Sequence, residues 1–396
     1  MSGIFVSTTK LTGEVVVYDL RRSVIVHEIL DYTIWLADHA GRDAKTISQA
    51  GNHLAAFWGK LLTGSNRLSS ICDSLLSDYR NEELKSVLRN PRSRGSERAA
   101  KSTVNQKLGV LLNWLVWLQY KGICPPDTIG PAKCRVTAWP ARLPRKDGPW
   151  MPGSGVSSNL YLTGAGTSGL TPAVSRDSFE AVREHIEVTY LSEYIANRDS
   201  LFVDVAASAG FRRGSICSLR IDQFDREKLD NWDNDTFPVT PSAQKFGYED
   251  TFEIDTLLAL RVSDFIEGPR KRFLEDLKVP SGVTKAKIFL SAKTGRPITD
   301  RAMTSRVGKA MRAIGGTKGQ AVHAFRGLFA NDTMDSETDR RVERGLDTST
   351  LSIASATATQ LGQRKAESLF PYVANHQSRV ARRRLVDRKK VRPTED

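Results

Sequence analysis

The sequence predicts a mainly helical α+β protein of two folded domains, and three observations predict it. Several segments place apolar residues three and four apart, the spacing of one helical face. Only one pair of short strand-like runs stands out, from Phe237 to Ile254, around a turn at Phe246 and Gly247. A stretch rich in Pro, Gly, Ser and Thr, from Pro125 to Pro172, separates two periodic regions. With 396 residues the chain has room for two or three cores at about 100–200 residues each. The expected layout is an extension over 1–22, a helical domain over 23–124, a linker over 125–172, a larger second domain over 173–378 and a basic tail over 379–396.

In the extension, Val15 to Tyr18 reads as a single strand. Ile25 to Ala40 and Thr46 to Leu62 read as amphipathic helices, followed by a third over Cys72 to Leu88. A fourth, Thr103 to Tyr120, carries Val104, Leu108, Leu111, Leu112, Leu115 and Leu118 as one apolar stripe, with Ser102 or Thr103 as cap and Gly122 as its stop. Trp114 and Trp117 fall within that stripe and read as core. The middle stretch holds a Gly-x-Gly-x-x-Gly pattern at Gly164, Gly166 and Gly169. No buried strand precedes it, so it reads as linker rather than as a nucleotide site. Beyond Pro172, helices are expected over Ser178–Ala196, Ser200–Ala209, Arg213–Leu219, Leu257–Phe265, Thr299–Ile314, His323–Asp332 and Thr357–Tyr372.

Composition narrows the partners. The chain has 58 Lys and Arg against 45 Asp and Glu, a formal charge of +13. That charge swings along the chain: residues 51–150 hold 16 basic and 7 acidic side chains, 151–250 hold 9 and 15, and the last 46 hold 10 and 4. Such alternation fits faces turned toward a polyanion, nucleic acid first, although solvated helix faces also produce it. No run is long and apolar enough for a membrane span, and the first twenty residues lack a secretory pattern, so a cytoplasmic protein is expected. Cys72, Cys124, Cys134 and Cys217 are far apart with no Cys-x-x-Cys pair. They read as reduced thiols rather than a zinc site or a disulfide framework.

Four features of the second region carry chemistry. Arg212 follows Gly210 at a tight turn just ahead of a helix, where its fork can be held toward an anion. Lys245 lies near the tip of the expected hairpin, a proton donor able to reach into a groove. His323 and Arg326 stand three apart and so share a helical face. Tyr372 is a phenol flanked by apolar residues near the end of the chain. The other histidines, His27, His39, His53, His185 and His376, show no partner pattern and read as structural or surface residues.

Taken in order, these residues resemble the active site of the tyrosine recombinases, the phage-integrase family. Ala209-Gly210-Phe211-Arg212-Arg213-Gly214-Ser215-Ile216 is similar to the family's first box, with Ser215 in place of its usual Glu. Lys245 falls at the hairpin lysine and His323 to Arg326 at the His-x-x-Arg box. Leu361-Gly362-Gln363, followed nine residues later by Tyr372, resembles the closing box and nucleophile, with Gln363 where the family has His or Trp. The likeness runs from about Pro172 to Asn375, and the helical region before it looks like the family's core-binding domain.

The resemblance implies a helical core-binding domain plus a recombinase catalytic domain that together clamp double-stranded DNA. It implies a site-specific recombinase or integrase of a mobile element that cleaves and rejoins strands through a 3′-phosphotyrosyl link, with no metal or cofactor. Tyr372 would be the nucleophile, Arg212 and Arg326 the phosphate clamps, His323 the base and Lys245 the acid that protonates the departing 5′ hydroxyl. Gln363 would keep a hydrogen bond to phosphate without carrying a proton. A homotetramer on two synapsed sites, with accessory DNA-bending proteins, belongs to the same implication. The basic tail could dock on a neighbouring subunit or run along DNA. Two rivals stay open: a type IB topoisomerase-like enzyme, and a DNA-binding protein of the same fold weakened in catalysis at Gln363.

Overall fold

The computed structural model describes residues 3–9, 11–64, 66–89, 96–131, 133–140, 155–166, 174–244, 248–280, 282–317, 319–363, 366–369, 372–373 and 376. The chain divides into two compact units, Met1–Gly169 and Leu170–Asp396. Among the described residues no helix is long and apolar enough to cross a membrane.

The first unit opens with three strands, β1 (Ile4–Thr8), β2 (Val15–Asp19) and β3 (Val24–Ile25), in an antiparallel sheet with β2 central. Along β2 the period of two turns Val15, Val17 and Asp19 inward, and the two valines enter the helical core. The expected extension over 1–22 is therefore built into this unit. Four helices follow: α1 (His27–Asp38), α2 (Ala44–Thr63), α3 (Asp73–Arg89) and α4 (Glu97–Tyr120). Helix α4 starts six residues before the expected Thr103. Ser96, not Ser102 or Thr103, caps it by accepting from Ala99 N at 3.1 Å. Of the first six residues only Ala100 is buried, so this turn carries no stripe to read. Trp114 and Trp117 are core residues, as expected, and Trp114 Nε1 donates to Glu28 O at 2.9 Å.

The described part of 125–172 does not hang free as a linker. Short pairs β4 (Ile129–Gly130) with β5 (Val136–Thr137), and β6 (Trp139–Pro140) with β7 (Val156–Ser157), lie against the helices. Ile129, Val136, Ala138, Val156 and Leu160 join the core of this unit. Asn105 of α4 brackets Leu162, donating to its O at 3.0 Å and accepting from its N at 2.8 Å. Short apolar anchors spaced among Pro and Gly have no periodicity, which is why composition reads them as linker. Gly164 and Gly166 sit in this loop, and among the described residues no helix opens there; Gly169 lies outside the described residues.

The second unit is organised around α6 (Glu193–Ser208), which packs against α5 (Arg176–Thr189), α9 (Thr256–Phe265) and α12 (Val322–Glu343). Sequence periodicity joins the end of α5 to the start of α6. The structure breaks them at Tyr190–Ser192, with Ser192 capping α6. Because α6 is buried almost all round, it has no polar face to mark its period. Its buried charges are paired instead: Asp199 takes Arg198 at 2.6 Å and Arg306 at 2.5 Å.

Helices α7 (Arg213–Ser218) and α8 (Arg226–Asp230) precede the hairpin β8 (Thr236–Val239) and β9 (Phe252–Asp255). Its strands pair antiparallel from Thr236–Asp255 to Val239–Phe252, as the sequence predicts, while the expected turn at Phe246 and Gly247 lies outside the described residues. After α9 a π turn containing Pro269 leads into α10 (Lys271–Asp276), and α11 (Asp300–Ala313) follows. Helix α12 runs eleven residues past the expected end, into a charged stretch held by Glu337, Arg340 and Arg341. The expected helix over Thr357–Tyr372 is not continuous. Helix α13 (Thr350–Gln360) stops at Leu361, and Gly362 turns left-handed at φ 58°.

Candidate active site

Arg212 stands at the N-cap of α7 in extended conformation, directly after a turn that Gly210 makes at φ 62°. That glycine cannot be replaced without cost, because a Cβ there would overlap the ring of Phe329 on α12. The turn is thus moulded onto the helix that carries His323 and Arg326.

Arg326 ties the boxes together. It is 4% exposed, and its guanidinium donates from Nη1 to Gly210 O and from Nη2 to Leu361 O, the latter at 2.9 Å. One side chain on α12 therefore fixes the carbonyls of the Gly210 turn and of the α13 end. Burial, and then the charge of Arg212, lower its pKa to about 9, while the neighbouring Tyr372 opposes that shift. The guanidinium still stays charged at neutral pH.

Burial also lowers the pKa of Arg212, and Tyr248 opposes that shift. Among the described residues no carboxylate pairs with Arg212 or Arg326, whereas Arg213 next door is engaged by Asp300 at 3.0 Å. Two partly desolvated cations with no carboxylate partner among the described residues have the charge to receive an external anion.

His323 lies on the same helix, with an exposed edge. Desolvation, followed by the charges of Arg326, Arg212 and Arg213, holds its pKa below the usual value, so its imidazole is neutral at pH 7. Tyr372 is half-buried against the small cluster of Met334, Ile353, Ala354 and Leu361. Burial raises its pKa, and the charge of Arg326 works against the rise. These mutual charge effects place Arg212, His323, Arg326 and Tyr372 in one neighbourhood. Gln363 is half-buried just past the Gly362 turn, its N donating to Ala358 O at 2.8 Å. Lys245, the sixth residue singled out from sequence, lies outside the described residues.

The segment leaving β8 toward the hairpin tip is fastened to α7. Ser215 donates to Ala243 O at 3.3 Å. Ser218 Oγ accepts from Ala243 N at 3.0 Å, and Ser242 Oγ donates to Ser218 O at 2.7 Å. Lys287 Nζ donates to both Ser218 O and Ser242 Oγ at 2.7 Å. On β9, Phe252 packs edge-on to Phe211 at 5.1 Å, and its ring lies 2.6 Å from where a Gly362 Cβ would be. One aromatic thus seats the hairpin against both the first and the closing box. Sequence reasoning missed Phe252, Ser218 and Lys287, whose signals are single residues in unremarkable local patterns.

Of the two readings given to His376, structural or surface, the structure supports the first. His376 Nδ1 meets Asp335 Oδ1 of α12 at 2.7 Å and the residue is 6% exposed, so it is no surface histidine. Four residues after Tyr372, it fastens the segment carrying the phenol.

No family model and no curated protein sequence matches the chain. Solved structures do. The chain is similar to the XerH site-specific recombinase bound to palindromic difH substrate in a post-cleavage complex, at 14% identity and TM-score 0.54, over 86% of this chain and 79% of that one. It is also similar to the pre-cleavage complex of XerH with difH, at 14% identity and TM-score 0.50, over 84% and 78%. The fold, mainly helical with a small hairpin, is that of these recombinases.

Proposed function

We propose that this chain is a site-specific DNA recombinase that breaks and rejoins strands through a 3′-phosphotyrosyl intermediate. The observation that carries the reading is the buried Arg326 guanidinium. It holds the Gly210 and Leu361 carbonyls while sharing its charge field with Arg212, His323 and Tyr372. The recombinase fold supports the reading, since the similar solved structures are recombinases bound to DNA substrates.

The roles follow from the charges. A phosphodiester placed between Arg212 and Arg326 gives those cations their anion, and the negative charge that grows as phosphorus becomes five-coordinate is stabilised most. Tyr372 Oη attacks phosphorus, its proton passes to His323, and the bond to the 5′ oxygen breaks with a proton from Lys245. Rejoining reverses each transfer. Because the Tyr372 pKa is raised and the His323 pKa lowered, proton transfer before attack is uphill. Deprotonation therefore accompanies formation of the O–P bond, which is general-base catalysis rather than attack by a preformed phenolate. Gln363 donates a hydrogen bond to a phosphate oxygen. The working form is a homotetramer on two synapsed duplexes in the cytoplasm, with the basic tail of 379–396 on a neighbouring subunit or on DNA.

The test is a nicked duplex from DNA flanking the gene, made so that a short fragment diffuses away after cleavage, with chelator present. An SDS-resistant protein–DNA adduct mapped by mass to Tyr372, and lost in Tyr372→Phe with DNA binding kept, is expected. Specific binding with no adduct would move the assignment to the DNA-binding rival. Relaxation of supercoiled DNA lacking any defined site would move it to the topoisomerase rival.

A further inference from the structure

Strand β1 has an open edge. The pairs flanking its ladder with β2 are closed, Leu20 N donating to Gly3 O at 2.7 Å and Thr9 N to Glu14 O at 3.0 Å. Antiparallel pairs alternate, so Phe5–Tyr18 and Ser7–Val16 bond across the ladder, whereas Ile4, Val6 and Thr8 do not. The residues opposite agree: Val15 N is taken by Thr33 Oγ1 at 3.2 Å, and Val17 O by Val26 N at 2.8 Å. The N–H and C=O groups of Ile4, Val6 and Thr8 therefore point away from β2, to a side where no described strand pairs with them. Sheets guard such an edge with charges, prolines or bulges. Ile4-Phe5-Val6-Ser7-Thr8 has no charge and no proline, and its register with β2 is unbroken.

This edge lies beside a cavity of about 800 Å³, which Ile4 and Val6 line together with Gly59 of α2 and Leu75 of α3. The charged groups of the lining are Lys60, Asp78 and Glu82. Lys60 pairs with Glu82, whereas Asp78 has no basic partner among the described residues.

We propose that the edge and the cavity bind an extended segment of another protein, with apolar side chains at alternate positions and a Lys or Arg that meets Asp78. The open N–H and C=O groups are returned by a strand, whose period of two sends every second side chain toward Ile4, Val6 and Leu75. The acidic rim selects a cation over an anion. A second copy of β1 does not fit in this way, because its own Ile4 and Val6 face is already packed on its own α2. The occupant is a segment with both faces bare.

The probe is the capped, fluorescein-labelled peptide Lys-Val-Thr-Val-Thr-Val-Lys, added to the full chain and followed by anisotropy. One control has glutamates for the lysines, and the other is scrambled to Val-Val-Val-Thr-Thr-Lys-Lys. The alternating lysine peptide is expected to bind about 10-fold or more tighter than either control. It is also expected to slow amide exchange at Ile4, Val6 and Thr8 while leaving Phe5 and Ser7, already bonded, unchanged. Thr8→Pro removes an N–H that the sheet does not use, at an edge position that tolerates proline, and is expected to weaken binding about 10-fold or more. Asp78→Lys changes an exposed residue and is expected to reverse the preference between the lysine and glutamate peptides; it carries the test if the proline variant does not fold. No binding of any peptide up to about 1 mM overturns the proposal, as does equal binding of the scrambled one or indifference to both substitutions. A dimer of the free chain that Thr8→Pro dissociates also overturns it, by giving the edge to a second copy.

Discussion

His376 Nδ1 lies 2.7 Å from Asp335 Oδ1, a contact between α12, the helix of His323 and Arg326, and the segment that carries Tyr372. His323, Arg326 and Tyr372 are thus anchored on one element, the first two through their own backbone and the third through this pair. Replacing His376 by Ala leaves Tyr372 in the sequence but loosens its tether. Cleavage is expected to slow by about 10-fold or more, since small misplacements of a reacting group are costly. A cycle with Asp335→Asn tests the mechanism: the double variant is expected to be no slower than the worse single one, because both remove the same contact. Additive losses would show that the two residues act separately.

The base role proposed for His323 sets the expected pH profile of cleavage. A base must be unprotonated to accept the Tyr372 proton, so the rate rises with pH through the pKa of His323. Burial and three guanidinium groups push that pKa below about 6.5, and the rising limb is expected below that pH. Folding has the matching sign. A histidine whose folded pKa is lowered resists protonation in the native state, so its contribution is full above the unfolded pKa and is lost as pH falls through the folded one. Single-turnover rates from pH 4.5 to 8 check this, and His323→Gln is expected to be slow and to lose the limb.

Gly362 and Phe252 test how the hairpin is seated. The glycine has φ 58°, and an added Cβ would meet the Phe252 ring at 2.6 Å. Gly362→Ala is expected to cost about 1–3 kcal/mol in urea unfolding, from backbone strain and the clash together. Phe252→Leu in the same chain relieves the clash but not the strain, so the double variant should recover part of the loss. Gly210→Ala, set against Phe329, is expected to behave alike.

These contacts mark where sequence reading succeeds and where it stops. Arg212, His323, Arg326 and Tyr372 stand out in the sequence by residue type and order, and in the structure their charges act on one another. The hairpin strands are legible from their short apolar runs. Helix α6 loses its period because both of its faces are buried, and the start of α4 is hidden because a capped first turn can be polar throughout. The stretch 125–166 reads as linker because its buried residues are isolated among Pro and Gly, although five of them enter the core. His376 and Phe252 act through partners 41 and 110 residues away, and no local pattern reports a partner at that separation.

Arg326 offers the sharpest separation of charge from geometry. Arg326→Lys keeps a positive group beside Arg212 and Tyr372, so a purely electrostatic role would survive largely intact. A lysine has no planar fork, however, and cannot hold the Gly210 and Leu361 carbonyls in the two directions that Nη1 and Nη2 serve. At least one of those buried carbonyls loses its partner, at about 1–3 kcal/mol. The ends joined by the guanidinium, the Arg212 turn and the chain leading to Gln363, are then free to shift. Cleavage is expected to fall by about 100-fold or more, accompanied by a lower melting temperature, while DNA affinity changes little because one cation replaces another. If Arg326→Lys cleaves at near wild-type rate, the charge alone suffices and the two carbonyl contacts are incidental to catalysis.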